Sequence, residues 1–72
     1  MSLSDFVKSK RRASGLTQPE FAEKAGVGLR FVRDLEQGKE SLRMDKVNQV
    51  LWLFGCQLGA IPINRGETNE KG

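Results

Sequence analysis

Four side chains near the middle of the chain have the types and spacing needed to contact DNA bases. They are Leu29, Arg30, Arg33 and Asp34. The Arg30 guanidinium can donate two hydrogen bonds to guanine O6 and N7, and Leu29 can pack on a thymine methyl group. Arg33 suits either a base or a phosphate. We therefore interpret the four residues as candidate base contacts.

Two roles stay open for Asp34. Its carboxylate can accept a hydrogen bond from a cytosine amino group. It also lies four residues after Arg30, a spacing that places both side chains on one helix face, where the carboxylate can hold the guanidinium in place. We favour the positioning role over direct base contact.

Phosphate contacts are expected at the N-termini of two predicted helices, which begin near residues 18 and 29, and just beyond the second of these helices. A helix N-terminus has unpaired N–H groups and partial positive charge, and lysine or arginine side chains add full charges. The candidates are Thr17, Gln18, Gly28, Lys39 and Arg43.

Residues 16–38 are predicted to position these side chains as two short helices crossed over one glycine turn. Thr17 and Glu20 have the S/T-x-x-E spacing of a capping box, which marks the start of the first helix. Ala22 is small enough for two helices to cross closely, and Gly26 can take the left-handed backbone of a tight turn. The pattern predicts a helix-turn-helix, in which one helix braces a second that enters the major groove.

Five helices are expected in all, which makes the predicted fold all-α. Periodicity and capping residues bound the clearest of them at about 4–13, 18–24, 29–37 and 43–54, with room for a short turn in the loop at 39–41. A strand is expected at 56–63, because this segment is too short and glycine-broken for a helix. Alone it would expose an unpaired apolar side, so we expect it to pair with its copy in a second subunit.

The chain is accordingly divided into three segments. Residues 1–55 are interpreted as the DNA-binding domain and residues 56–63 as a dimerisation strand. Residues 64–72 contain no apolar side chain, so we expect a disordered tail.

Apolar periodicity separates a core set from a leftover set. The predicted core comprises Leu3, Phe6, Val7, Leu16, Phe21, Ala22, Ala25, Val27, Val32, Leu35, Met44, Val47, Val50, Leu51 and Phe54. The apolar residues that this core does not need are Trp52, Leu53, Leu58, Ile61 and Ile63. Since a small chain gains by burying such residues between subunits, we interpret them as a dimer interface.

Composition argues against several other classes of protein. The 72-residue chain has a net charge of +3, no histidine, no tyrosine and one cysteine, Cys56. Nothing here supplies a nucleophile–base pair, so we expect no enzymatic activity, no metal and no cofactor. No stretch approaches the roughly 20 apolar residues of a membrane helix, and we expect a cytoplasmic protein that does not contact a membrane.

The chain resembles the phage-repressor-like (XRE) helix-turn-helix family over roughly residues 3–55. The matching positions are Leu16-Thr17-Gln18, Ala22, Gly26-Val27, Val32, Leu35-Glu36 and Gly38-Lys39. This resemblance implies an ion pair between Arg11 and Glu36 that links the first and third helices. It also implies that Gln18 is a base contact in addition to a phosphate contact. Gly28 departs from the serine or threonine common at its position, which puts a hydroxyl contact to phosphate in doubt.

The C-terminal part is similar to HipB-like antitoxins, the partners of HipA-type kinase toxins. The similarity lies in Val47-Asn48-Gln49-Val50-Leu51 and Leu58-Gly59-Ala60-Ile61-Pro62. It implies a homodimer that represses its own operon and holds a HipA-like kinase inactive. Because a homodimer has two-fold symmetry, we expect it to bind a palindromic operator. Two alternatives stay open: a stand-alone phage-type transcriptional regulator, and a protein-interaction module without DNA affinity.

Overall fold

The fold, seen in a computed structural model, is all-α over residues 2–63, the part of the chain that the structure describes. It contains α1 (Leu3–Ala13), α2 (Gln18–Ala25), α3 (Leu29–Glu36), α4 (Met44–Leu51) and a 3₁₀ turn (Trp52–Phe54) directly after α4. The all-α prediction is confirmed. The tail predicted at 64–72 lies outside the described residues.

The expected count of five helices is corrected to four α-helices and one 3₁₀ turn within residues 2–63. The last helix was expected to run to Phe54, but its α-helical part ends at Leu51 and tightens into the 3₁₀ turn. Tightening of this kind pairs some of the carbonyls that the end of a helix leaves without partners. Gly55, with φ of 71°, then ends the turn.

The expected strand at 56–63 is also not present within the described chain. A strand needs a neighbouring strand to satisfy its backbone, and residues 2–63 offer none. The Leu58 N–H instead donates to Oδ1 of Asn48 at 2.7 Å, and the side chains of Cys56 and Leu58 pack against the core. The beginning of the segment is therefore attached to α4.

The start of α2 follows the sequence pattern closely. The Glu20 N–H donates to Thr17 Oγ1 at 3.2 Å, and the Thr17 N–H donates to Glu20 Oε1 at 2.8 Å. The backbone hydrogen bond from Thr17 also holds the pKa of Glu20 below its ordinary value. The helix ends at Gly26, whose φ of 76° is left-handed, and the turn leads directly into α3.

The core lies where the four helices meet. Its buried apolar residues are Val7, Phe21, Ala22, Ala25, Val27, Val32, Leu35, Val47, Val50 and Leu51. All ten belong to the core set predicted from periodicity, but Leu3 and Met44 are wrong because they are 37% and 71% exposed. Each is the first residue of its helix, where the packed layer covers only one side.

No helix among residues 2–63 is both long and apolar enough to cross a membrane.

Candidate nucleic-acid interface

The helix α3 has one face in the core and the other in solvent. Val32 and Leu35 are buried, and the side chains of Arg30 and Arg33 are exposed on the opposite face. This division follows the helical period, because residues three and four apart share a face. Two arginines predicted to contact DNA are therefore brought together on one accessible surface.

A buried ion pair attaches the C-terminal end of α3 to α1. Arg11 Nε donates to Glu36 Oε2 at 2.6 Å, and Arg11 Nη2 donates to Glu36 Oε1 at 3.0 Å. Arg11 Nη1 also donates to the Leu16 carbonyl at 2.8 Å. The Arg11 and Glu36 side chains are only 12% and 2% exposed. Such two-point pairing constrains orientation as well as distance, so it sets the position of α3 relative to α1.

Gln18 joins the same network from the first residue of α2. Its Nε2 donates to Glu36 Oε1 at 3.0 Å, which orients the amide with its nitrogen toward the carboxylate. An amide nitrogen carries two hydrogens, and the second has no acceptor within residues 2–63. Gln18 can therefore support α3 through one N–H and donate the other to a phosphate or a base.

Each charge of the Arg11–Glu36 pair stabilises the ionised form of the other group. Burial alone would raise the pKa of Glu36, but hydrogen bonds from Arg11 and Gln18, together with the positive charges of Arg11 and Lys8, lower it below the ordinary 4.5. The hydrogen bond to Glu36 raises the pKa of Arg11. Both groups are therefore charged at neutral pH.

The other predicted base contacts differ in accessibility. Leu29 is half-buried and packs against the core, so only part of its side chain can reach a thymine methyl group. Asp34 lies with its Oδ2 3.7 Å from Lys39 Nζ, and the salt bridges of the described chain include no Arg30–Asp34 pair. The interpretation that Asp34 positions Arg30 is corrected: its partner is Lys39, at the far end of α3.

The predicted phosphate contacts are all exposed except Gln18, which is half-buried. The Thr17 hydroxyl is already an acceptor in the capping box, and Gly28 caps α3 without a side-chain hydrogen bond. Arg43 is held by Asp45, with Nη2 donating to Oδ2 at 2.7 Å. That hydrogen bond lowers the pKa of Asp45, and the carboxylate would compete with a phosphate for the guanidinium.

Comparison with known proteins agrees with this geometry. A family profile described as helix-turn-helix matches residues 7–61. The chain belongs to the helix-turn-helix family. It is also 48% identical over 53 residues to an uncharacterized HTH-type transcriptional regulator, y4mF, of Sinorhizobium fredii (strain NBRC 101917 / NGR234), an alignment that covers 74% of this chain and 70% of the relative.

In this helix-turn-helix protein, the residues predicted for a dimer interface do not all share one environment. The exposed members are Trp52 at 61%, Leu53 at 42%, Ile61 at 84% and Ile63 at 60%. Leu58 differs, because it is half-buried against the protein's own core. It is therefore corrected from a leftover apolar residue to a partner in monomer packing.

Sequence reasoning missed two polar residues of α4. Asn48 accepts the Leu58 N–H, and Gln49 donates to the backbone of the turn before α3. A usable signal was that these amide side chains interrupt an apolar run between the core residues Val47 and Val50. Polar side chains near a core need hydrogen-bond partners.

Replacing Glu36 by Gln should lower the free energy of unfolding by about 3 kcal/mol at neutral pH, because Arg11 would keep its charge in a largely desolvated site without an anion. Urea unfolding measures this loss. Glu23→Gln is the matched control, because Glu23 is an exposed glutamate of α2, and its effect should be within about 0.5 kcal/mol.

The difference in unfolding free energy between wild type and Glu36→Gln should depend on pH. Since folding lowers the pKa of Glu36, its stabilisation is present above the ordinary value of 4.5 and is lost as the pH falls through the lower folded-state value. The stability difference between wild type and Glu36→Gln should therefore shrink over that acidic range. A difference that stays constant there, or that is absent at neutral pH, would contradict the role of the pair.

Proposed function

We propose that this protein is a sequence-specific DNA-binding transcriptional repressor that inserts α3 into the major groove. The observation that carries the proposal is the exposure of Arg30 and Arg33 on α3, a helix whose C-terminal end is held by the buried Arg11–Glu36 pair. Base readout requires a helix held at a fixed angle to the DNA. The printed description of the relative from Sinorhizobium fredii, an HTH-type transcriptional regulator, supports the same role.

The individual contacts divide into two kinds. Arg30 is assigned to guanine O6 and N7, and Leu29 to a thymine methyl group through its accessible part. Arg33 contacts either a base or a phosphate. Gln18 and Lys39 are assigned to phosphates on either side of α3, and Asp34 holds Lys39 rather than Arg30. This arrangement separates sequence readout from backbone positioning.

Substitutions should distinguish the two kinds of contact. Arg30→Ala should lower affinity for a duplex selected by the wild-type protein from a random-sequence library by about tenfold or more, and affinity for a scrambled duplex much less. Lys39→Ala should weaken both duplexes about equally and reduce the salt dependence by about one phosphate. Fluorescence anisotropy titrations over a salt series give both quantities. Equal losses of affinity on the two duplexes for Arg30→Ala would show that Arg30 contacts a phosphate and not a base.

We further propose that the repressor acts as a homodimer on a palindromic operator. Two copies of α3 would then be about 34 Å apart, one turn of DNA. The exposed Trp52, Leu53, Ile61 and Ile63 supply apolar surface at the C-terminal part of the described chain, and pairing of residues 56–63 with their copy would satisfy backbone groups that have no strand partner in one chain. Burying the apolar side chains and residues 56–63 between subunits would stabilise a chain this small.

Trp52→Glu should shift the protein toward monomer, because it places a charge in the proposed interface. The side chain is 61% exposed, so the substitution should leave the monomer folded. Ser9→Glu is the control, since it adds the same charge at an exposed polar position of α1, outside the proposed interface. Sedimentation velocity at matched concentrations decides the outcome. If Trp52→Glu and wild type sediment alike, Trp52 lies outside any dimer interface.

The finer proposal is that the repressor is an antitoxin that neutralises a HipA-like kinase and autoregulates its operon. Its support is the similarity of residues 47–51 and 58–62 to HipB-like antitoxins. A kinase-like gene beside this one, and a kinase that co-purifies with the untagged protein from its own host, are the expected observations. Absence of both would favour a stand-alone phage-type regulator.

A further inference from the structure

Gln49 of α4 reaches the turn that connects α2 to α3. Its Nε2 lies 3.1 Å from the Ala25 carbonyl oxygen and 2.9 Å from the Gly26 carbonyl oxygen. One amide nitrogen has two hydrogens, so a single side chain donates to both carbonyls. The carbonyls at the end of a helix have no helical partner, and here the partner comes from a distant helix.

Gly26 is suited to this contact in two independent ways. Its φ of 76° is left-handed, and a Cβ added to it would lie 3.0 Å from Gln49 Nε2. Real Cβ atoms seldom come so close to another heavy atom, so a side chain at Gly26 would push the amide away. By contrast, Gly15 has a similar φ of 72° but nothing within 4 Å of its added Cβ. The backbone at Gly26 therefore lies closer to Gln49 than a residue with a side chain would usually allow.

The contact lies at the entry to α3, opposite to the end held by the Arg11–Glu36 pair. α3 has eight residues, from Leu29 to Glu36, which corresponds to a length of about 12 Å. The ion pair is at the last residue, whereas Arg30 is at the second. A helix held at one end by a polar contact can still tilt at the other, so the position of Arg30 depends on what holds the turn.

We propose that Gln49 is a positioning residue for base recognition, which holds the entry of α3 so that Arg30 meets the base edge at a set depth and angle. The inference rests on the proposed DNA-binding function. Gln49 touches no DNA in this account and acts only through the Ala25 and Gly26 carbonyls. Removing its two N–H donors should therefore weaken recognition of the base sequence more than binding to the DNA phosphates.

Gln49→Met is the test variant, because methionine keeps the length and the apolar stem and removes both N–H donors. Ser9→Met places the same residue at an exposed polar position of α1, outside the proposed dimer interface, and serves as the control. Gln49→Met should lose about tenfold or more in affinity for the selected duplex and less than about twofold for the scrambled duplex. Both titrations are run below the unfolding temperature of each variant, determined by circular dichroism.

Equal losses on both duplexes, or no loss on either, would overturn the proposal. A second measurement does not depend on DNA: residual dipolar couplings report the orientation of the α3 amides relative to the α1 amides. Gln49→Met should change that orientation and Ser9→Met should not. If the wild-type protein selects no duplex from the library, the proposed DNA-binding function fails. The residual dipolar couplings alone then decide whether Gln49 positions α3. An unchanged α3 orientation in Gln49→Met overturns the positioning role.

Discussion

The Arg11–Glu36 ion pair is the interaction on which the rest of the proposed DNA-binding surface depends. Moving a carboxylate and a guanidinium out of water is costly, and the cost is offset only when their hydrogen-bonding capacity is met. Glu36 accepts from Arg11 and Gln18, while Arg11 also donates to the Leu16 carbonyl. Among residues 2–63, no buried side-chain nitrogen or oxygen lacks a partner. The network connects α1, the start of α2 and the end of α3.

This arrangement explains how so small a domain can hold α3 firmly. Apolar contacts are not directional, so burial of Val32 and Leu35 fixes which face of α3 is inward but constrains its tilt less. The directional contacts are at its two ends, from Glu36 to Arg11 and from the preceding turn to Gln49. The exposed arginines lie between two polar attachments that leave their outer face open to a ligand.

Features set by local sequence were predictable, and features set by the approach of distant elements were not. The Thr17–Glu20 capping box and the ten buried core positions follow from spacing and period, which act within one helix. The Arg11–Glu36 pair could be placed only through the resemblance to a family. The Asp34–Lys39 pair and the Gln49 contact depend on where the chain goes after a turn, and Leu58 packs inward because Asn48 of α4 accepts its N–H.

In the proposed complex, α3 lies in the major groove with Arg30 against a guanine. The most direct measurement is the affinity of wild type and Arg30→Ala for the selected duplex with each guanine replaced in turn by 7-deazaguanine, which lacks the N7 acceptor. If Arg30 contacts guanine N7, the replacement at one guanine per half-site should cost wild type about tenfold in affinity and cost Arg30→Ala almost nothing. Equal losses for the two proteins at every guanine would contradict it.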